Sequence, residues 1–482
     1  MIARSPLASS WSQPAERLRR WADAEPGADD AVGAARVFSV RQRLALLAGF
    51  ALLVILRLPL AWVQGRFLGE EGSIFLAFAW HRPALEALLR SFGGYLNLAA
   101  NGATLLAARL VRGGMLPLES APYLTMVTAL LFQLLPAALI LTGQARWLAN
   151  RWAVLAALLI VAISPMTEEV FLNVLHIQFH LALCTGLILA LEVPPRRSAR
   201  IGYWTVLFVA PLCGPGAIVL LQLFALRALI ERDRGRLAQT AVFAVGTALQ
   251  LFVFFTPSPV RGAFLDPGAL AAVMVVRLAA LPYLTSGLAN VLGTLTYNSY
   301  ITGGIGWWAM VAASITYFGA LMAVALRDRH DPAIWLLLSG LAIGAASFGG
   351  GMIAVDPYQW FSVGAGERYN FLPLVLLTLA LIVIAMRQDG RFRRISATLV
   401  MLTLITGAIG FNQPIKAMRN GPSWRAEVAA WRADHDHPLV LWPQEWTADL
   451  SDRARPCTGV AAADPAYCES VWLVQVAPHP HP

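Results

Sequence analysis

The chain has 482 residues, of which 57% are hydrophobic and 13% charged, and its mean hydropathy is +0.60. Soluble globular domains carry roughly 25% charged residues, so this composition excludes an ordinary soluble protein and indicates one that crosses a membrane several times. The net charge of +9 raises the question of a nucleic-acid partner. No basic face interleaved with aromatic residues occurs outside the short connections, so we expect no nucleic acid among the partners.

The segment before the first apolar run is polar and contains proline and several arginines. It lacks a small-residue cleavage site next to an apolar stretch, which argues against a cleavable signal peptide. We therefore predict that residues 1–43 form a cytoplasmic N-terminal tail.

Apolar runs of about twenty residues, each able to cross a hydrocarbon core of roughly 30 Å as a helix, recur through residues 44–411. A helical bundle is expected, because lipid offers backbone groups no other partner. The predicted spans are Leu44–Val63, Ala121–Gly143, Trp152–Ser164, Leu175–Leu191, a hairpin around Cys213–Gly216, a seventh span ending near Phe255, and four more ending near Ile409. The sequence thus predicts an all-α polytopic membrane protein with about eleven transmembrane helices.

Arginines in the short connections determine the predicted orientation, because positively charged residues stay on the cytoplasmic side. They place four long connections on the opposite face, some with amphipathic helices: 64–120, 165–174, 256–304 and 349–368. A small extracytoplasmic tail, 412–482, follows on that face. Its Cys457 and Cys468 form either a disulfide or two unpaired surface thiols, whereas Cys184 and Cys213 lie in apolar segments and are expected in the core.

Two pairs of glutamates stand in the predicted outer loops. Glu70 and Glu71 follow the first span. The next outer loop and the start of the following span contain Glu168, Glu169, Asn173, His176, Gln178 and His180. Carboxylates at a membrane edge are costly to desolvate, so such pairs are either hydrated or retained for a function.

His176 and His180 are four residues apart and share one face if the segment is helical. With a nearby carboxylate they would suit zinc or manganese. No HExxH pattern accompanies them, and helix capping or packing is the competing interpretation, so the sequence leaves a metal ion open.

The motif GERYNFLP, residues 366–373, places Arg368 on the same face as the glutamate pairs. An arginine there runs against the topological trend. Guanidinium binds phosphate in a bidentate manner, which makes a lipid phosphate one candidate ligand; snorkelling or pairing with Glu367 is the alternative. Tyr369, Tyr95 and Asn97 are further candidates for substrate contacts, although such side chains also pack and cap helices.

Taken in order, EEGSIF, GGYLNL, EEVFLNVLHIQFHLAL, CGPGAIVLL and GERYNFLP resemble a poorly characterised bacterial subgroup of the C-type (GT-C) integral membrane glycosyltransferases. The resemblance covers about residues 44–230 and 360–375. It implies a GT-C-like fold in the bacterial inner membrane. It also implies transfer of a hexose or pentose from a polyprenyl-phosphate donor to a glycan, lipid or protein acceptor on the outer face.

The resemblance also implies roles for individual residues. The general base falls on Glu70 or Glu71, and the second-loop acid falls on Glu168 or Glu169. Arg368 corresponds to the phosphate-binding arginine. This sequence departs from the commoner pattern because its first motif has no aspartate, which leaves dependence on Mg²⁺ or Mn²⁺ open.

Two other classes of function compete with this interpretation. A transporter or lipid flippase would use charged residues along a translocation path and would place them near the bilayer midplane. Here they stand at the ends of loops, which favours an enzyme. A scaffold without chemistry would leave the acidic pairs scattered in space.

Overall fold

The computed structural model describes residues 33–254, 266–327, 331–351, 358–387, 390–411 and 421–451. The helices, in chain order, are α1 Val40–Arg57, α2 Pro59–Gln64, α3 Ala77–His81, α4 Ala84–Leu88, α5 Leu98–Arg112, α6 Ala121–Thr142, α7 Arg151–Ile163, α8 Ile177–Ala190, α9 Arg197–Leu212, α10 Leu221–Glu231, α11 Arg234–Phe254, α12 Pro267–Val275, α13 Leu281–Tyr283, α14 Ser286–Ile301, α15 Gly306–Ala325, α16 Pro332–Ala346, α17 Tyr358–Phe361, α18 Arg368–Ala385, α19 Gly390–Gly410 and α20 Trp424–Ala433. Two antiparallel hairpins pair β1 Ser91–Phe92 with β2 Tyr95–Leu96 and β3 Leu439–Val440 with β4 Thr447–Ala448.

Several of these helices can cross a membrane. Within the described ranges, six segments are long and apolar enough: Leu118–Thr142, Arg234–Val253, Gly306–Ala325, Pro332–Gly350, Arg368–Ala385 and Gly390–Gly410. The segments Arg197–Leu212 and Pro215–Glu231 meet at the CGPG turn with a bend of 120° and raise the number to seven if counted as one span. The chain is therefore an all-α multi-pass membrane protein, and eleven crossings stay a prediction.

The first predicted span differs from the observed helices. Helix α1 begins at Val40 rather than Leu44, because the Ser39 side chain caps its first turn. It ends one residue before Leu58, which has non-helical dihedrals. A residue that precedes proline is disfavoured in the helical region, and Pro59 then starts the short helix α2.

The predicted outer loop 256–304 is largely helical where the structure describes it. Helix α12, a π-helical turn over Val276–Ala280 and helix α13 form one apolar rod, and α14 follows. Arg277 interrupts the apolar sequence of this rod, yet its side chain is fully buried. A charged residue in this segment is thus compatible with a buried helix.

Helix α18 forms the centre of the bundle, since nearly all its residues from Asn370 to Ala385 are buried. It packs against α16, α19, α7 and α8. Glycines on α16 permit the closest approach: a Cβ added at Gly340 would lie 2.9 Å from Leu377 Cγ. Small residues at a helix interface let two backbones come together in a membrane bundle.

Residues 421–451, here named the C-terminal cap, fold back onto the first outer loop. The Trp442 carbonyl accepts a hydrogen bond from Gly69 N at 2.7 Å, and Trp442 N donates to the Phe67 carbonyl at 3.3 Å. The indole of Trp424 donates to the Leu118 carbonyl at 2.9 Å. The cap and the first loop therefore lie on the same side of the bundle.

The predicted core cysteines, Cys184 and Cys213, are buried and free. The prediction of a Cys457–Cys468 disulfide lies outside the described residues, as do residues 1–32 of the predicted cytoplasmic tail.

Candidate functional site

The first glutamate pair sits at an irregular turn between α2 and α3. Gly69 has φ of +43°, a left-handed conformation that favours glycine. A π-helical turn over Glu71–Leu76 follows directly, and such turns occur frequently at functional sites. Adjacent residues of a helical turn point in different directions, so Glu70 and Glu71 face different surroundings.

Glu71 points inward and holds two loops together. Its side chain is 1% exposed. One carboxylate oxygen accepts a hydrogen bond from Leu68 N at 3.1 Å, and the other accepts from Val174 N at 3.2 Å. Burial raises the pKa of Glu71, and the two backbone donors oppose that rise. Both oxygens are thus engaged in joining the first outer loop to the second.

The second pair divides in the same way. Glu168 is buried and accepts a hydrogen bond from Arg57 Nη2 at 3.0 Å. Glu169 instead pairs with the Arg368 guanidinium, and its second oxygen accepts from Arg368 N at 3.4 Å. Glu168 anchors the loop to the end of α1, whereas Glu169 faces the start of α18.

Asn173 and His176 shape the loop around Glu169. Asn173 Nδ2 donates to the Glu169 carbonyl at 2.8 Å and to the Phe171 carbonyl at 3.0 Å. Asn173 Oδ1 accepts from His176 N at 3.0 Å. His176 Nδ1 lies 2.8 Å from the Glu169 carbonyl. Because a carbonyl only accepts, Nδ1 carries the proton, and Nε2 keeps its lone pair.

Glu70, Glu169, His176 and Arg368 form what we name the four-residue cluster. Glu70 is half-buried and lies close enough to Arg368 and Glu169 for their charges to act on it. His176 Nε2 lies 3.9 Å from Glu169 Oε1. The cluster brings together one residue from the first outer loop, two from the second, and one from the start of α18.

The cluster separates the pKa values of its members. Burial raises the pKa of Glu70, and the Arg368 charge opposes that rise. Burial would raise the pKa of Glu169 as well, but the charge and hydrogen bonds of Arg368 outweigh it and hold that pKa below the ordinary value. Burial lowers the pKa of His176 to about 4. At neutral pH the imidazole is therefore uncharged.

The remaining predicted site residues have mainly structural contacts. Asn97 caps α5 through Ala100 N and donates to the Leu175 carbonyl at 3.0 Å. Tyr95 Oη accepts a hydrogen bond from Gln178 Nε2 at 3.3 Å. Tyr369 lies beside the cluster, with its ring 5.1 Å below the Arg368 guanidinium. Tyr369 is thus the one of these three that borders the four-residue cluster directly.

Three arginines around the site were not predicted to take part. Arg57 donates to the carbonyls of Ala162 and Ser164 as well as to Glu168. Arg277 reaches the loop before α18, where it binds several backbone carbonyls. Arg66 is 2% exposed and lies three residues before Gly69. The only sequence signal was an arginine at the end of, or inside, an apolar run.

Glu367 is a further buried acid next to the cluster. It is 1% exposed, and neither carboxylate oxygen has a hydrogen-bond partner among the described residues. Burial, together with the neighbouring Glu168 and Glu169 carboxylates, raises the pKa of Glu367. The side chain is therefore protonated at pH values where ordinary carboxyl groups are ionised.

The described residues do not support the metal site considered from the histidine pair. His176 faces Glu169, while His180 packs between Phe171 and Phe371. Across the described ranges, no group of three or more His, Cys, Asp or Glu side chains is arranged to hold a metal ion. The oxygens of Glu71, Glu168 and Glu169 already accept hydrogen bonds from protein donors.

No family model matches the chain, and neither does any curated protein or solved structure.

Proposed function

We propose that the chain is an integral membrane glycosyltransferase of the C type, with Glu70 as its general base. It would move a sugar from a polyprenyl-phosphate donor to a glycan, lipid or protein acceptor outside the cytoplasm. The observation that carries the proposal is the Glu169–Arg368 ion pair with His176 beside it, close enough to Glu70 for the Arg368 charge to lower the Glu70 pKa. A carboxylate base beside a cation is what direct sugar transfer from a phosphate requires.

Glu70 is preferred over Glu71 because both Glu71 carboxylate oxygens already accept hydrogen bonds that join the two loops, from Leu68 N and Val174 N. The raised pKa of Glu70 also suits the role, since a general base works best when its pKa approaches the working pH. Glu71 would serve as the support that fixes the turn. The proposal thereby assigns different tasks to the two members of the first pair.

In the proposed reaction, Glu70 takes the proton from an acceptor hydroxyl while the hydroxyl oxygen forms a bond to the anomeric carbon. The bond between that carbon and the donor's phosphate oxygen breaks, and its electron pair leaves with the lipid phosphate. His176 Nε2 can accept a hydrogen bond from a substrate hydroxyl, because Nδ1 holds the ring proton. No step in this scheme is routed through Mg²⁺ or Mn²⁺, because the described residues include no group of three or more His, Cys, Asp or Glu side chains arranged to hold a metal ion.

The test compares Glu70→Gln with Glu71→Gln in purified, folded protein. A labelled sugar is offered on a panel of polyprenyl-phosphate donors, and product formation is followed. Loss of a general base typically costs about 10²- to 10⁴-fold in rate, so Glu70→Gln should lose at least about 100-fold. The control is Glu445→Gln, an exposed acid of the cap, which should leave transfer unchanged. Normal transfer by Glu70→Gln would remove the proposed base.

A transporter or lipid flippase is the second candidate, and Glu367 favours it. A buried carboxyl group without a hydrogen-bond partner among the described residues, next to Glu168 and Glu169, is the kind of group that takes up and releases protons in transporters. Proteoliposomes loaded with a polyprenyl phosphate would show lipid movement driven by a pH gradient, and Glu367→Gln would abolish it. Sugar transfer without such movement would exclude this alternative.

A further inference from the structure

In the described part of the chain, all but one of the buried arginines donate a hydrogen bond to a backbone carbonyl. Six are 5% exposed or less: Arg57, Arg66, Arg90, Arg227, Arg236 and Arg277. Five of them donate a terminal guanidinium nitrogen to at least one backbone carbonyl. Arg66 does not: its Nη1 and Nη2 are buried and find no hydrogen-bond partner among the described residues.

Arg66 belongs to the first outer loop and lies next to Trp442 of the C-terminal cap. Its guanidinium carbon is 5.9 Å from the centre of the Trp442 ring. Burial lowers the pKa of Arg66 to about 10, and the Glu71 carboxylate opposes that decrease. The Arg66 charge in turn adds to the lowering of the His176 pKa. The charge of the Arg66 guanidinium therefore acts on a member of the cluster.

Glu71 does not accept a hydrogen bond from the terminal nitrogens of Arg66. Its oxygens accept hydrogen bonds from Leu68 N and Val174 N, so its influence on Arg66 is electrostatic. A buried charged donor without an acceptor is costly, typically by several kcal/mol. The terminal nitrogens of Arg66 thus require an acceptor that the described protein residues do not supply.

An oxyanion is the ligand that fits. The two terminal nitrogens of a guanidinium match two oxygens of a phosphate, and such charge-assisted pairs are stronger than neutral hydrogen bonds. Arg368, the other cation at the cluster, already pairs with Glu169. Its charge is largely balanced within the protein, whereas Arg66 retains both terminal donors.

We propose that Arg66 forms a buried anion site, covered by Trp442 of the cap, that binds the phosphate group of a lipid phosphate. Together with the proposed function, on which this inference rests, it divides the work between two arginines. Arg66 holds the phosphate that leaves with the lipid. Arg368 orders Glu169 and keeps the pKa of Glu70 from rising further.

The experiment measures binding of farnesyl phosphate to the purified full chain in detergent micelles. Farnesol and inorganic phosphate serve as comparison ligands. We expect Arg66→Gln to weaken farnesyl phosphate binding about 10- to 100-fold, the loss that removing one charged hydrogen-bonding group gives. Arg66→Lys should weaken it less, because it keeps the charge but loses the forked geometry. Farnesol binding should be the same in all variants.

Arg432→Gln is the control, since Arg432 is an exposed arginine of the cap and should leave binding unchanged. Unaltered affinity in a folded Arg66→Gln variant would overturn the proposal. Where that variant fails to fold, Arg66→Lys decides, and unaltered affinity there would have the same meaning. Inorganic phosphate binding as tightly as farnesyl phosphate would overturn the assignment to a lipid.

The sugar-transfer assay separates this inference from the proposed function. If the unmodified protein transfers sugar and Arg66→Gln does so with the same donor KM, the Arg66 site is wrong while the enzyme stands. If farnesyl phosphate binds in an Arg66-dependent way but no donor supports transfer, the anion site stands and the glycosyltransferase does not.

Discussion

The buried pair of Arg57 and Glu168 allows a quantitative test of how the site is held in place. Arg57 is 1% exposed and donates to Glu168 Oε1 at 3.0 Å, to the Ala162 carbonyl at 2.5 Å and to the Ser164 carbonyl at 2.7 Å. The Arg57→Met substitution leaves the Glu168 carboxylate buried without its cation. Breaking a buried ion pair in this way costs about 3–5 kcal/mol, so the free energy of unfolding should fall by that amount.

The double variant Arg57→Met/Glu168→Met removes the uncompensated charge. It should recover at least about 1 kcal/mol relative to Arg57→Met, because a buried carboxylate no longer lacks a partner. Recovery should be incomplete, since the carbonyls of Ala162 and Ser164 still lose their donors. The difference between the two variants therefore isolates the charge from the hydrogen bonds.

Equilibrium unfolding in mixed detergent micelles, followed by tryptophan fluorescence, measures these differences. Arg432→Met is the control: its pair with Glu119 is solvent-exposed, with Arg432 at 54%, and such pairs are worth about 0–1 kcal/mol. A loss below about 1 kcal/mol for Arg57→Met would refute the reasoning. The reasoning would also be refuted if the free energy of unfolding lost by the double variant equalled the sum of the losses of Arg57→Met and Glu168→Met measured separately.

Three further predictions concern the first loop, the cluster and the cap. Glu71→Gln should lower the free energy of unfolding by about 1–3 kcal/mol, because either Leu68 N or Val174 N then faces the amide NH₂ group instead of an acceptor oxygen. An unchanged free energy of unfolding would contradict the role of Glu71 in joining the two loops. The Arg368 charge lowers the pKa of Glu70, and Glu70 must be ionised to act as a base. The acid limb of the transfer rate should therefore move to higher pH in Arg368→Gln, and a limb that stays in place would count against Glu70. A Cβ at Gly421 would lie 2.2 Å from the indole ring of Trp442 in the cap. Gly421→Val should expose the cap to limited proteolysis, while Gly390→Ala, with open space around it, should not; equal cleavage would show that this contact does not hold the cap.

Much of the helical framework could be predicted from the sequence because long apolar runs carry a strong signal. The predicted spans Ala121–Gly143, Trp152–Ser164 and Leu175–Leu191 correspond closely to α6, α7 and α8. The positions of the helices within the predicted outer loop 256–304 could not be obtained from the sequence, because Arg277 interrupts their apolar pattern. The backbone carbonyls that Arg277 binds belong to residues more than eighty positions further along the chain. No local sequence pattern indicates these contacts.

The candidate site could be predicted only as a set of charged residues. The sequence pointed to two glutamate pairs and Arg368, but could not tell which glutamate of each pair faces the cluster. That division depends on tertiary partners: Val174 N engages Glu71, and Arg57 engages Glu168. Likewise, Arg66 has no motif around it, and its isolation emerges only when the contacts of every buried arginine are known.

The contact between the cap and the first loop also constrains how the protein is made. His81 and Asp449 meet across 368 residues of chain, so the Glu70 turn is synthesised long before Trp442, whose carbonyl accepts a hydrogen bond from Gly69 N. During insertion the first outer loop lacks its contacts with the cap while the intervening membrane-spanning helices enter the bilayer. A ribosome-bound or truncated intermediate would therefore carry the acidic residues without their final geometry. Synthesis of residues 421–451 would therefore be the event that completes the geometry of the first outer loop.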